Sequence, residues 1–282
     1  MNKKVAGLSL TIFLSTTLIM SEPIYASSMN GDIKNTRIEK STNTGATLYD
    51  PEYVRNEKYY KSLEEKKDRQ IEKEETMFKS NFAASSNEHY TISVNPNMQK
   101  YWNFCGVASG RQALSFHKLK SKSSEPLPSQ DYLGRSMGVF PGKGAATSTW
   151  IAHALNQYKY VYKFSSNPYV IGNIAQFDYP AVKLETRVKA TLRSKKTAPI
   201  LLLKTKYMPN YKRRDWRHYV TVSGYDKNAD EFRLVDPNDH TDVIPKPVYW
   251  ERIRTTKQGV KGIAQAVYKA NKETSKNPVM VW

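Results

Sequence analysis

A cysteine, a histidine and an aspartate in this chain could together form a nucleophilic site. Cys105 is the single cysteine among 282 residues, so it has no partner for an intramolecular disulfide. His218 lies at the head of an apolar strand-like run, and Asp236 lies on the next such run. A lone thiol with a distant histidine and aspartate is a candidate nucleophile, base and orienting carboxylate. Most free cysteines are inert and buried, so this assignment depends on what surrounds the thiol.

The residues on both sides of Cys105 favour a reactive thiol. Small residues, Gly106-Val-Ala-Ser109, follow it and would let a helix begin at the sulfur. Unpaired backbone N–H groups and the positive end of the helix dipole would then favour the thiolate. The N–H of Cys105 could donate one hydrogen bond to an oxyanion, and the side-chain amide of Gln99 or Asn103 could donate another.

The strands that carry the histidine and the aspartate can be paired from their periodicity. One segment that begins at His218 and one that ends at Asp236 both alternate apolar and polar residues. The antiparallel register that joins their apolar positions pairs Val222 with Phe232, and it places His218 directly opposite Asp236. A slip of one residue would turn the apolar side chains outward, whereas a bulge near Gly224 would change the pairing.

Periodicity and capping predict further elements around these strands. Residues 51–80 are predicted to form a charged helix with a weak apolar stripe. Such a helix could be a solvated linker or a pro-segment, and the weak stripe favours the linker. Thr147 or Ser148 would cap a later helix. Helices are predicted at 105–118, 147–158 and 181–194, and strands at 91–94, 160–164 and 199–203.

The residues around the cysteine also carry a resemblance. Gln99-x5-Cys105-Gly106-x-Ala108-Ser109 is similar to the motif of the C39 and C39-like peptidases, a papain-like cysteine peptidase family. The later order of an apolar strand, a strand headed by His218 and a strand ending at Asp236 is similar as well, so the resemblance covers roughly residues 90–250. It implies an α+β papain-like fold, in which an N-terminal helical part with the nucleophile helix packs on an antiparallel β-sheet.

The resemblance also implies roles for four residues. Cys105 would be the nucleophile, His218 the general base and acid, Asp236 the orienting carboxylate and Gln99 the oxyanion-hole amide. Val107 departs from the proline that many relatives carry there, which does not touch the chemistry. Nothing resembles the membrane and ATPase parts of bacteriocin exporters, so cleavage at a double-glycine site is not implied.

A basic and aromatic segment leads into the predicted base. It runs from Lys204 to His218 and would bind an anionic or extended substrate, unless it is a solvated loop. The residues predicted to bind substrate are Trp102, Asn103, Lys212, Arg213 and Trp216.

Composition and the first residues indicate an exported basic protein. Lys3, Lys4 and an apolar run predict a signal peptide over residues 1–26, cleaved after Ala26, and hence secretion to the cell exterior or cell wall. Residues 27–50 are polar and read as a disordered leader, 51–89 as the charged helical segment, and 90–282 as the peptidase domain. The net charge is +18, and its excess falls in residues 91–282. Such a surface attracts polyanions.

These observations predict an exported cysteine peptidase or amide hydrolase that acts on a peptide or protein through an acyl-thioenzyme. The alternative is a catalytically silent C39-like module that binds anionic cell-wall or membrane-surface polymers. A nucleic-acid partner is not expected, because no recognisable nucleic-acid motif accompanies the charge and the 19 tyrosines. No zinc-ligand spacing occurs, so no metal or cofactor is expected.

Overall fold

The computed structural model describes residues 45–81, 88–165, 167–211, 214–238, 246–255, 262–273 and 276–282. The predicted signal peptide, the predicted leader up to residue 44, and the predicted substrate residues Lys212 and Arg213 lie outside these ranges. The described residues belong to a compact unit that extends from Ser41 to Trp282. None of the helices within the described ranges is long and apolar enough to cross a membrane.

The helices begin where the local residues can satisfy or dispense with the first backbone N–H groups. Asp50 accepts a hydrogen bond from Tyr53 N, and Thr147 accepts one from Trp150 N, so both act as N-caps. Pro180, which has no N–H to satisfy, opens a later helix. The helices are α1 (Pro51–Arg55), α2 (Glu57–Asn81), α3 (Cys105–Ser121), α4 (Gln130–Ser136), α5 (Ser148–Gln157), α6 (Pro180–Ser194) and α7 (Ile263–Glu273).

The described strands form one antiparallel sheet. Its strand order is β2-β7-β3-β4-β5-β6, and β1 pairs with β4. They are β1 (His89–Thr91), β2 (Ile171–Gly172), β3 (Ile200–Lys204), β4 (Arg217–Asp226), β5 (Glu231–Val235), β6 (Val248–Arg252) and β7 (Met280–Val281). Helix α3 packs on β4, where Ser109 Oγ donates to Tyr219 O and Thr221 Oγ1 donates to Ser109 O, both at 3.1 Å. The predicted α+β class, with the cysteine helix packed on an antiparallel sheet, is confirmed.

The predicted strand at 160–164 is wrong. These residues form turns after α5, because Tyr162 N donates to Tyr158 O and Phe164 N donates to Lys159 O. Lys163 has a φ of 52°, a left-handed conformation that interrupts extended backbone. The predicted helices at 105–118, 147–158 and 181–194 are confirmed as α3, α5 and α6, and the strand at 199–203 as β3.

Helix α2 is built into the domain rather than lying free in solvent as a linker would. Its carboxylates hold Arg187 of α6, which is fully buried. Arg187 Nε and one terminal nitrogen bind both oxygens of Asp68 at 2.9 and 2.6 Å, and Glu64 accepts at 2.8 Å. The guanidinium also lies 4.5 Å from the ring centroid of Trp282. Two carboxylates of α2, Glu64 and Asp68, are therefore paired and buried against α6.

Candidate active site

Cys105 is the first residue of α3 and is fully buried. The N-cap position is held by Phe104, whose ring can accept no hydrogen bond from the first-turn amides. The thiol therefore lies at a helix N-terminus that favours negative charge. Gly106 allows a close approach at this point, because a Cβ there would lie 2.5 Å from the Cβ of Ala146.

His218 and Asp236 meet in the structure. His218 Nε2 donates to Asp236 Oδ1 at 2.8 Å, and both side chains are buried. His218 is the second residue of β4, and Asp236 follows the last residue of β5. The same imidazole interacts with Cys105. Since Nε2 binds the carboxylate, Nδ1 is the nitrogen left for the sulfur.

The predicted register of this hairpin is wrong by two residues. Val222 pairs with Leu234 rather than with Phe232, and the pairing shifts again at a bulge between Val222 and Gly224. Continued past β5, the observed register makes Asp236 a diagonal rather than a direct neighbour of His218. Because side chains alternate with a period of two, a shift of two residues keeps both on the same face. The two side chains still reach each other.

Both oxygens of the Asp236 carboxylate are engaged by donors. Oδ1 accepts from His218 and from the N–H of Asn238 at 2.9 Å, while Oδ2 accepts from the hydroxyls of Tyr211 and Tyr249 at 2.7 and 3.0 Å. Burial and the negative charge of Asp236 raise the pKa of both tyrosines well above the usual value, so both remain neutral donors. Neither tyrosine was predicted from the sequence, although Tyr211 lies in the basic and aromatic segment from Lys204 to His218.

The electrostatics around His218 favour the imidazolium. Burial alone lowers its pKa, but the charge of Asp236 and the hydrogen bond to it act in the opposite direction, and Cys105 adds to them. The net result is a His218 pKa of about 10, against an ordinary value of 6.5. An imidazolium beside the sulfur stabilises a thiolate. His218 can therefore supply the imidazolium that a thiolate–imidazolium pair requires.

Gln99 lies close to Cys105 in sequence and is buried, but its amide is turned onto its own loop. Nε2 donates to the carbonyl oxygens of Tyr101 and Trp102 at 3.2 and 3.0 Å. Its Oε1 has no hydrogen-bond partner among the described residues. To donate to an oxyanion, this amide would have to release at least one of its two carbonyl bonds.

The predicted substrate residues differ in exposure. Trp102 is 53% exposed and lies near Gly142. Asn103 is fully buried, and its Nδ2 donates to the carbonyl oxygens of Phe140, Lys143 and Gly144 at 2.8, 3.3 and 3.0 Å. This amide holds the 140–144 turn, so any contribution of Asn103 to substrate binding would be indirect.

Trp216 is half-buried beside the site. Its ring meets Tyr211 edge-on at a centroid distance of 6.2 Å, and the guanidinium of Arg214 lies 5.1 Å from its centroid. Trp216 therefore contacts Tyr211, which in turn donates its hydroxyl to Asp236. Within the described ranges, no group of three or more His, Cys, Asp or Glu side chains is arranged to hold a metal ion.

Comparison with known proteins places this arrangement in a family. No curated protein matches the chain. The model of the Peptidase_C39 like family matches residues 91–258, a span that contains Gln99, Cys105, His218 and Asp236. Because this match covers more than half of the chain, the protein belongs to the Peptidase_C39 like family.

Proposed function

We propose that the protein is an exported cysteine peptidase or amide hydrolase that acts through a Cys-His-Asp triad. The observation that carries the proposal is the position of His218, which binds Asp236 at 2.8 Å and interacts with Cys105 on its other side. A structural histidine needs no such pair of partners. Family membership and the buried helix-start cysteine support the same conclusion.

In the proposed reaction, the Cys105 thiolate attacks the carbonyl carbon of a peptide or other amide bond. The imidazolium of His218 gives its proton to the leaving amine as the C–N bond breaks, and a thioester remains on the sulfur. Neutral His218 then removes a proton from water, whose oxygen attacks the thioester and releases the carboxylic acid. Asp236 stays ionised and holds the imidazole in place.

Alkylation of the single cysteine tests this pairing without knowledge of the substrate. A thiolate–imidazolium pair makes Cys105 react with iodoacetamide at pH 5–6 as readily as at higher pH, whereas an unpaired thiol titrates near ~8.5. His218→Ala should abolish the reactivity at low pH. A wild-type profile that titrates near that ordinary value would refute the proposed catalytic pair.

Gln99 has a proposed role that the same assay separates from that of the triad. If its amide turns to the oxyanion when substrate binds, Gln99→Ala should lower kcat by about 100-fold or more, as for other oxyanion donors. Its alkylation profile should match that of the wild type, because the amide does not contact His218. An unchanged kcat would remove Gln99 from the oxyanion hole and leave the Cys105 N–H as its proposed donor.

The basic and aromatic segment before His218 is proposed to bind an extended or anionic substrate. Trp216 of this segment, together with Trp102 from the loop before Cys105, would supply apolar contacts, and Lys212 and Arg213 would supply positive charge. Lys212→Glu combined with Arg213→Glu should raise KM while leaving the melting temperature and the alkylation profile unchanged. Equal turnover of the variant and the wild type across substrates would overturn this role.

The positive charge also favours a second candidate function. A net charge of +18 suits a module that holds anionic cell-wall or membrane-surface polymers, with or without catalysis. Export and cleavage after Ala26 are part of both proposals. Salt-dependent co-sedimentation with anionic wall polymer, unchanged in Cys105→Ser, would support the binding function. Equal sedimentation with a neutral polymer would refute it.

A further inference from the structure

The segment Gly45–Asp50 lies against the residues that flank Cys105. Ala46 forms a parallel bridge with Ala146, in which Ala146 N donates to Gly45 O at 2.8 Å and Thr47 N donates to Ala146 O at 3.4 Å. Ala146 in turn packs against Gly106, the residue directly after the cysteine. Ala146 thus lies between Ala46 and Gly106.

Gly45 makes the closest approach of this segment to the site. A Cβ at this position would lie 1.7 Å from the carbonyl oxygen of Asn103 and 2.1 Å from its carbonyl carbon. Asn103 precedes Cys105 by two residues, and its side chain is held by the 140–144 turn, so its backbone cannot easily move away. No side chain larger than hydrogen fits at residue 45 while this packing is kept.

The other end of the segment is anchored firmly to the domain. Asn277 Nδ2 donates to Thr47 O at 2.6 Å, and Asp50 N donates to Lys276 O at 2.8 Å. Asp50 also accepts from Thr149 N at 3.1 Å and caps α1. Gly45 and Ala46 are therefore held by the Ala146 pairing and tethered by strong contacts that begin at residue 47.

We propose that Gly45–Thr47 is a tethered occupant of a peptide-binding edge at Ala146, and that it covers Cys105 until it is displaced. The backbone N–H and C=O of Ala146 are the groups that an extended peptide would use to add a strand at this position. A nucleophile must be reached by its substrate, yet Cys105 is fully buried in this arrangement. This inference rests on the proposed function in one respect, namely that the substrate is an extended peptide beside Cys105.

The test compares alkylation rates of full-length variants by iodoacetamide at a fixed pH. Gly45→Val places a branched side chain against the Asn103 carbonyl and should expel the segment. The expected rise in rate is about tenfold, which corresponds to 1.4 kcal/mol of lost contact. Leu48→Val is the matched control, because it places the same branched side chain in the same segment at an exposed position, and it should react at the wild-type rate.

Thr47→Pro provides a second variant in case Gly45→Val does not fold by circular dichroism. It removes the N–H that donates to Ala146 and introduces no side chain at residue 45, so a smaller rise in rate is expected. If both folded variants react at the wild-type rate, the segment does not cover the thiol and the inference is wrong. An acetylated and amidated peptide Gly-Ala-Thr-Leu-Tyr-Asp that slows alkylation of Gly45→Val would support it.

The absolute rate and the pH profile separate this inference from the proposed function. The rate reports access to the sulfur, whereas the ratio of rates at pH 6 and pH 9 reports its ionisation. A faster Gly45→Val variant with the profile of an ordinary thiol would support the occupant and refute the catalytic pair. An unchanged rate with a low-pH profile would refute the occupant and support the pair.

Discussion

Removal of the negative charge of Asp236, with its shape retained, tests the electrostatic reasoning about the site. Asn in this position can still accept from His218 and Asn238 through its oxygen, and the hydroxyls of Tyr211 and Tyr249 can rotate to accept from its amide. What disappears is the charge that holds the pKa of His218 at about 10 instead of 6.5. One unit of pKa corresponds to about 1.4 kcal/mol. The charge of Asp236, its hydrogen bond to His218 and the contact with Cys105 therefore give the imidazolium a net preference of ~5 kcal/mol, after the opposing effect of burial.

The expected consequence for the thiol can be worked out from that preference. An ordinary thiol ionises near ~8.5, so its thiolate fraction at pH 6 is about 300-fold smaller than that of a thiol kept fully ionised by an imidazolium partner. A change of that size needs about 3.4 kcal/mol, which lies within the ~5 kcal/mol available. We therefore expect Asp236→Asn to alkylate about two to three orders of magnitude more slowly than the wild type at pH 6, but at a similar rate at pH 9.

The chain offers a matched control on the same strand. Asp226 at the end of β4 binds His89 Nδ1 at 3.0 Å in an exposed His–Asp pair. Asp226→Asn removes a carboxylate from a histidine in the same way, but far from the sulfur in the sheet register. This variant should keep the wild-type alkylation profile. If Asp236→Asn also keeps that profile, the charge of Asp236 does not govern the thiol and the electrostatic account is wrong.

Three further predictions concern stability. Arg187→Met should lower the free energy of unfolding in urea by about 3–5 kcal/mol, because it removes the cation that pairs with the buried Glu64 carboxylate and leaves Asp68 with Lys183 alone; a loss below ~1 kcal/mol would contradict a buried ion network. Asn103→Ala should lower the free energy of unfolding by about 1–3 kcal/mol and speed proteolysis within the 140–144 turn, since three carbonyl oxygens each lose a donor; unchanged cleavage would show that the turn does not depend on this amide. The raised pKa of His218 means that this imidazole keeps its proton in the folded state up to about pH 10, but in the proposed pair the proton lost by the thiol cancels that gain until an ordinary thiol ionises near ~8.5. The free energy of unfolding should therefore fall as pH rises from ~8.5 to about 10. That slope should be smaller in Asp236→Asn, and an equal slope would assign it to other groups.

The pairing of His218 with Asp236 could be predicted from sequence because it depends on side-chain parity, not on the exact register. Alternation places both residues on the apolar face of their strands, and any even shift keeps them there. On the His218 side of the bulge after Val222, the observed register differs from the predicted one by two residues, an even number, so the predicted contact survived although the predicted partner of Val222 was wrong. Bulges depend on local packing against other strands, which a single sequence does not display.

The residues that support Asp236 could not be predicted in the same way. Tyr211 comes from a short 3₁₀ turn and Tyr249 from β6, and neither has a fixed spacing to Asp236. The burial of two carboxylates of α2 could not be predicted from the sequence either. Glu64 and Asp68 look like solvated residues of a polar helix, and only the fold brings Arg187 of another helix to pair with them. Composition alone cannot distinguish charged helix residues that face solvent from charged residues that are buried in ion pairs.

The buried Arg187 contacts also set the smallest piece of this protein that can fold cooperatively. The family match begins at residue 91 and ends at 258, so it omits α2, α7 and β7. A fragment trimmed to those limits would deprive the Arg187 guanidinium of both carboxylates and leave the edge of β3 without the strand that pairs with it. Homology boundaries and folding boundaries therefore differ here, and recombinant expression should retain residues 45–282.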